Sequence, residues 1–172
     1  MRKPLSARTV ATMGLLTAVA LVLGYLEHLI PVSTIPGIKL GLGNTVLLYA
    51  LYLLDMPSAV LLMLLKVGLS GLLYGGVSAM LYSLAGGVLS LCGMLLVKRI
   101  PGVSVIGVSV VGAVLHNVGQ MLVACLIVES KAVLAYLPIL LAAACVTGVL
   151  TGVVAKYVIK GLGHTKGGEN SL

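Results

Sequence analysis

The sequence predicts an all-α integral membrane protein: a bundle of six transmembrane helices with both termini on the cytoplasmic side. Three observations carry this expectation. Of the 172 residues, 60% are hydrophobic and 9% charged, with a mean hydropathy of +1.20. Soluble domains carry about 25% charged residues, and four acidic residues cannot solvate a water-exposed surface. Apolar runs, several near the roughly 20 residues of a spanning helix, recur between Pro, Gly and charged punctuation. Basic residues fall unevenly on alternate loops, as the positive-inside rule requires. The whole of 1–172 reads as a single membrane domain.

The first helix covers about 10–30 and stops at Pro31. Arg2, Lys3 and Arg8 followed by Ala18-Val19-Ala20 resemble a cleavable leader. The apolar stretch continues to Leu26, which favours a retained helix. The second helix covers about 40–54 and ends at Asp55-Met56-Pro57; the third covers 58–74 and ends at Gly75-Gly76. These two are short, and as one interrupted segment they would give five spans in place of six. The fourth covers 77–97 and ends at Lys98-Arg99-Ile100-Pro101. The fifth runs over 105–128 and the sixth over 133–159, leaving a basic polar tail at 160–172. With the N-terminus inside, the cytoplasmic segments hold Arg2, Lys3, Arg8, Lys98, Arg99, Lys156, Lys160 and Lys166, and the outer loops hold Lys39 and Lys131. Eight against two favours both termini inside and an even number of spans.

Several functions are disfavoured. Net charge is +7, but the cations form no stripe interleaved with aromatics, and there is no Trp or Phe to stack on bases. No G-x-x-x-x-G-K-[ST] occurs, so ATP would have to be hydrolysed by another chain. Cys92, Cys125 and Cys145 stand alone in apolar runs and read as packing residues.

Polar residues inside spans are costly and are functional candidates. Here they are Glu27 and His28 in the first helix, Asn44 in the second, Lys66 in the third, and His116, Asn117 and Gln120 in the fifth. At 1.5 Å per residue, Glu27 lies about 25 Å above the inner start of its helix and Lys66 about 12 Å from Ser58. The set therefore gathers between the midplane and the outer face, the distribution an outward-open pocket needs. His116 and Gln120 share a face at i, i+4, and Lys66, Ser70 and Tyr74 form one stripe. Competing readings are inter-helix hydrogen bonding by His116 and Asn117, a Lys66–Glu27 salt bridge, and an interfacial His28. Small residues also form stripes: Ala7, Ala11, Gly14 and Ala18; Ser83, Gly86, Gly87 and Ser90; Ala144, Gly148 and Gly152. Such stripes allow close helix packing or docking of another chain.

Glu27-His28-Leu29-Ile30-Pro31, the run Pro36-Gly37-Ile38-Lys39-Leu40-Gly41-Leu42-Gly43-Asn44, Gly86-Gly87-Val88-Leu89-Ser90, and the run from Gly112 through His116-Asn117-Val118-Gly119-Gln120 carry a resemblance over almost the whole chain. The chain resembles the substrate-binding S components of energy-coupling factor (ECF) transporters, and more specifically the Gx transporter or "heptaprenyl diphosphate synthase component I" family. Lys66 stands where the resemblance leads one to expect Arg; the charge is kept without the bidentate fork.

The resemblance implies a binding subunit in the cell membrane rather than a complete transporter. Its ligand would sit near the outer face beneath a lid at 31–39. Ala7, Ala11, Gly14 and Ala18 would dock a membrane coupling subunit that works with two cytoplasmic ATPases. No cofactor, metal or catalytic residue is expected. Glu27, Lys39, Asn44, Lys66, His116, Asn117 and Gln120 form the expected substrate site: the cations would receive an anionic or carbonyl group and the amides would orient it. The ligand class is vitamin-like or related to isoprenoids and quinones. An alternative is a non-transport accessory subunit of isoprenoid or quinone synthesis. Catalysis of prenyl-chain synthesis is disfavoured because the chain has one Asp, where magnesium-bound diphosphates need clusters. A self-contained channel is disfavoured by the scarcity of polar residues in the inner half.

Overall fold

The structure, a computed structural model, describes residues 7–29, 39 and 41–167. Among these the chain is helical throughout, with no strand. Helix α1 is Ala7–Leu29; a 3-10 turn, Leu42–Asn44, leads into α2, Thr45–Leu53; α3 is Met56–Ser70, continued by a π-helical turn, Gly71–Gly75; α4 is Gly76–Lys98; α5 is Val105–Val128; a 3-10 turn, Lys131–Tyr136, precedes α6, Leu137–Gly167. Four stretches, Thr9–Leu29, Met56–Lys98, Val105–Val128 and Val133–Gly161, are long and apolar enough to cross a bilayer, and Leu42–Leu53 is a shorter apolar helix. The molecule is a multi-pass membrane helical bundle.

The Met56–Lys98 stretch is folded back on itself. Straight, it would hold Met63 and Gly87 about 36 Å apart. Instead a Cβ on Gly87 would lie 2.9 Å from Met63 Sδ, and one on Gly71 would lie 3.0 Å from Met80 Cβ. The turn is made at Gly76, whose φ of 74° is left-handed backbone that glycine adopts without strain. Helices α4 and α5 then run antiparallel in close contact. A Cβ on Gly119 would lie 2.7 Å from the Ala85 carbonyl, and one on Gly112 would touch Met94. Helix α6 packs on α5 through Gly148 and Gly152, each placing its Cα where a side chain would strike the backbone of Val110 or Ile106. The stripes expected on α4 and α6 are thus used inside the bundle.

Three boundaries differ from expectation. Pro57 opens α3 instead of separating it from α2, because Pro suits the first helical turn. Asp55 caps that turn, its carboxylate accepting from the Ser58 amide at 2.8 Å. The sixth helix begins at Leu137, after the 3-10 turn. The polar segment from residue 160 continues it to Gly167. Residues 168–172 and the expected lid at 31–38 lie outside the described residues.

Candidate functional site

Helices α1 and α3 run parallel, since Gly14 and Thr17 share a groove with Leu61 and Leu65 while Gly24 abuts Tyr74. The later ends of α1, α3 and α5 are therefore neighbours, and the polar residues collect there. Glu27, Lys39, Asn44, Lys66, His116, Asn117 and Gln120 are all buried, Asn117 and Gln120 completely.

Six of the seven converge on the short stretch formed by Lys39 and residues 41–45. Gln120 grips Lys39 at both ends of its amide: the Lys39 N–H donates to Oε1 at 2.9 Å, and Nε2 donates to the Lys39 carbonyl at 3.0 Å. Glu27 Oε1 accepts from the Leu42 N–H at 2.6 Å, so a carboxylate satisfies the opening of the 3-10 turn. Lys66 Nζ donates to Asn44 Oδ1 at 2.6 Å, and its side chain lies where a Cβ on Gly43 would come within 3.1 Å of the ammonium. The His116 ring rests against Gly41, whose φ of 88° again calls for glycine. Its Nδ1 faces Gly86 without a hydrogen-bond partner. Asn117 is turned elsewhere, donating to the Leu140 and Ala113 carbonyls at 3.5 and 3.4 Å, so it ties α5 to α6.

No direct ion pair joins Glu27 to Lys66 among the described residues; each is held by its own hydrogen bond, and they attract at longer range. The carboxylate faces two buried ammonium groups, Lys39 and Lys66, so the cluster carries one positive charge in excess when both lysines are protonated. Burial pushes the Lys39 ammonium below the ordinary lysine range, and Glu27 pulls it part of the way back.

Tyr74 completes the cluster. The Lys39 ammonium lies 4.8 Å from its ring centre, its hydroxyl donates to the Leu21 carbonyl at 3.1 Å, and Tyr25 and His28 pack against it. The i, i+4, i+8 stripe pointed to Tyr74, but nothing in the sequence signalled the π turn that places its hydroxyl over Gly24. Thr151, which bonds Ser109 at 3.0 Å deeper in the bundle, had no sequence signal either.

The small-residue stripe of α1 is different from the other two. Ala7, Ala11, Gly14 and Ala18 are exposed, and a Cβ on Gly14 would meet nothing. Of the four, Gly14 lines an apolar groove of about 340 Å³ together with Val10, Met13, Thr17, Leu61 and Leu65.

No curated protein and no solved structure matches the chain. A family model described as heptaprenyl diphosphate synthase component I matches residues 16–158, a stretch that includes every residue of the buried cluster. The chain belongs to the heptaprenyl diphosphate synthase component I family, as the motifs around Glu27, Asn44 and His116 implied.

Proposed function

We propose that this chain is the solute-binding subunit of an ECF-type importer, with six spans, both termini in the cytoplasm, and its buried polar cluster toward the outer leaflet of the cell membrane. The single observation that carries the reading is the burial of two lysines, Lys39 and Lys66, around one carboxylate, Glu27, beside residues 41–45. A buried charge without a counter-ion is expensive. Lys66 uses one of its three donors on Asn44, which leaves two for a ligand. An anionic group, carboxylate or phosphate, entering beside Lys66 would supply the missing charge and acceptors.

The exposed stripe at Ala7, Ala11, Gly14 and Ala18 would receive the membrane coupling subunit, and two cytoplasmic ATPases would supply the energy. In this reading the chain performs no catalysis and needs no cofactor.

The family's description favours a second reading, a non-transport accessory subunit of isoprenoid or quinone synthesis. Isolation from native membranes separates the two: ATPase and coupling subunits accompany an importer component, and a prenyl synthase alone accompanies an accessory subunit. The binding site is tested by mass spectrometry of small molecules that co-purify. Lys66→Ala and His116→Ala lose the co-purifying anion while still inserting and purifying normally. Retention of the same molecule by both variants removes the site assignment.

A further inference from the structure

One turn deeper than His116, between α2, α4, α5 and α6, lies a small cavity of about 10 Å³. Gly41, Asn44, Ser90, Ser109, Gly112 and Thr151 are among its walls. That volume is about the room one water needs, and polar walls are what distinguish wet cavities from dry ones. Two of the wall side chains present polar atoms without partners, Asn44 Nδ2 and Ser90 Oγ. Both residues are more than nine-tenths buried, Ser90 completely.

We infer that this cavity is a binding site for a single water molecule that fixes the Asn44 amide, and through it Lys66. The hydrogen-bond directions follow from the inventory of donors. Thr151 Oγ1 gives its proton to the Thr147 carbonyl at 2.8 Å. In the 3.0 Å contact between Ser109 and Thr151 the Ser109 hydroxyl is therefore the donor, and its own lone pairs remain open. A water accepts from Asn44 Nδ2, donates to Ser109 Oγ, and exchanges a bond with Ser90 Oγ. These three bonds are the usual complement of a buried water.

A cation fits the same walls poorly. Asn44 presents its NH2 to the cavity, because the other end of the amide accepts from the Lys66 ammonium. A sodium ion would meet that donor pair and, beyond it, a buried positive charge. Turning the amide over would set its NH2 against Lys66. The water resolves this asymmetry: it takes the Asn44 donor and holds Oδ1 toward the ammonium. This inference does not depend on the importer reading, since it concerns the unliganded bundle.

The sign of one substitution tests it. Ser90→Ala in a dry cavity removes an unsatisfied hydroxyl and raises or preserves the melting temperature. Around a bound water it deletes a hydrogen bond and lowers melting by about 2–4 °C, the effect of roughly one such bond in a chain this long. Solid-state NMR of the protein in lipid gives the second readout. Polarisation transfer from water to the Asn44 side-chain amide is expected in the unaltered protein and lost in Gly112→Ala, whose added methyl lies 3.2 Å from Ser90 Oγ. Melting in sodium chloride and in potassium chloride is expected to be the same. An unchanged or raised melting temperature for Ser90→Ala, absence of the water transfer, or sodium-specific stabilisation that Ser90→Ala abolishes would each overturn the assignment.

Discussion

Gln120→Leu removes the side chain that holds Lys39 from both directions. Two hydrogen bonds of 2.9 and 3.0 Å disappear, and the Lys39 N–H and carbonyl lose their buried partners. Leaving such a group unsatisfied costs about 1–3 kcal/mol. Local opening lets water reach both groups, so at about 1–2 kcal/mol each the two together loosen the segment by about 2–4 kcal/mol. Leucine keeps most of the volume, and the bundle around it is held by other contacts: Gly119 on α4, Gly148 and Gly152 on α5. The loss therefore falls on local opening of residues 39–45, not on global stability. At about 1.4 kcal/mol per factor of ten, the opening constant rises roughly 30- to 700-fold. Hydrogen–deuterium exchange of the protein in lipid reads this directly: amides of Leu42, Gly43 and Asn44 exchange faster, while those of the α5–α6 contact do not. Unchanged exchange at 42–44, or equal acceleration everywhere, would show that Gln120 is not the clamp the geometry makes it.

Three further outcomes are expected. Gly119→Ala drives a methyl into the Ala85 carbonyl, and its neighbours are backbone rather than flexible side chain; a loss of about 1–3 kcal/mol is expected, read as a lower melting temperature, while Gly14→Ala, whose methyl meets nothing within 4 Å, preserves or slightly raises melting because alanine is the better helix former. Gly14→Leu is expected to retain the co-purifying solute but to lose co-isolation with the coupling subunit. Asp55 has its carboxyl held below the ordinary carboxylate range by its bonds to the Ser58 hydroxyl and amide. Its contribution is thus complete at neutral pH and is lost as pH falls through that lowered value, below about 4. Asp55→Asn, a comparable cap, flattens this part of the melting profile in acid.

The helical bundle was legible because its punctuation is chemical. Gly75-Gly76 marks the α3–α4 turn, Lys98 and Pro101 mark the end of α4, and the apolar runs between them leave no other class of fold. The burial of Glu27, Lys66, His116 and Gln120 was legible for a related reason: polar side chains in lipid must turn inward. Their partners were not. A Lys66–Glu27 salt bridge was one competing reading, yet the hydrogen bond of Glu27 goes to the Leu42 amide, and Gln120 takes the backbone of Lys39. A backbone N–H is the same at every position, so no residue pattern identifies which one a distant carboxylate will meet. The placement of the Tyr74 hydroxyl over Gly24 was hidden similarly, because a π turn carries no periodic signature. The depth of polarity was also underread: Ser90, Ser109 and Thr151 extend hydroxyls below the main cluster, where only small residues were expected.

The clamp and the proposed solute site use the same side chains, and that overlap has a measurable consequence. In the structure Gln120 and Glu27 are occupied by the backbone of residues 39 and 42. An anion reaching Lys66 must first displace that segment, so the measured affinity equals the intrinsic affinity reduced by the fraction of molecules already open. If Gln120 serves only as the clamp, Gln120→Leu raises the open fraction and the co-purifying solute binds more tightly, by up to the same factor that exchange reports. If Gln120 also touches the solute, as its place in the candidate site requires, the gain is offset by a lost polar contact. A buried ligand group left without its amide partner costs about 1–3 kcal/mol, so binding then falls short of the exchange factor by roughly 5- to 150-fold. Measuring both quantities on the same preparation separates the two roles. Solute affinity that follows the exchange factor without shortfall removes Gln120 from the solute's contacts and leaves it to hold the segment shut.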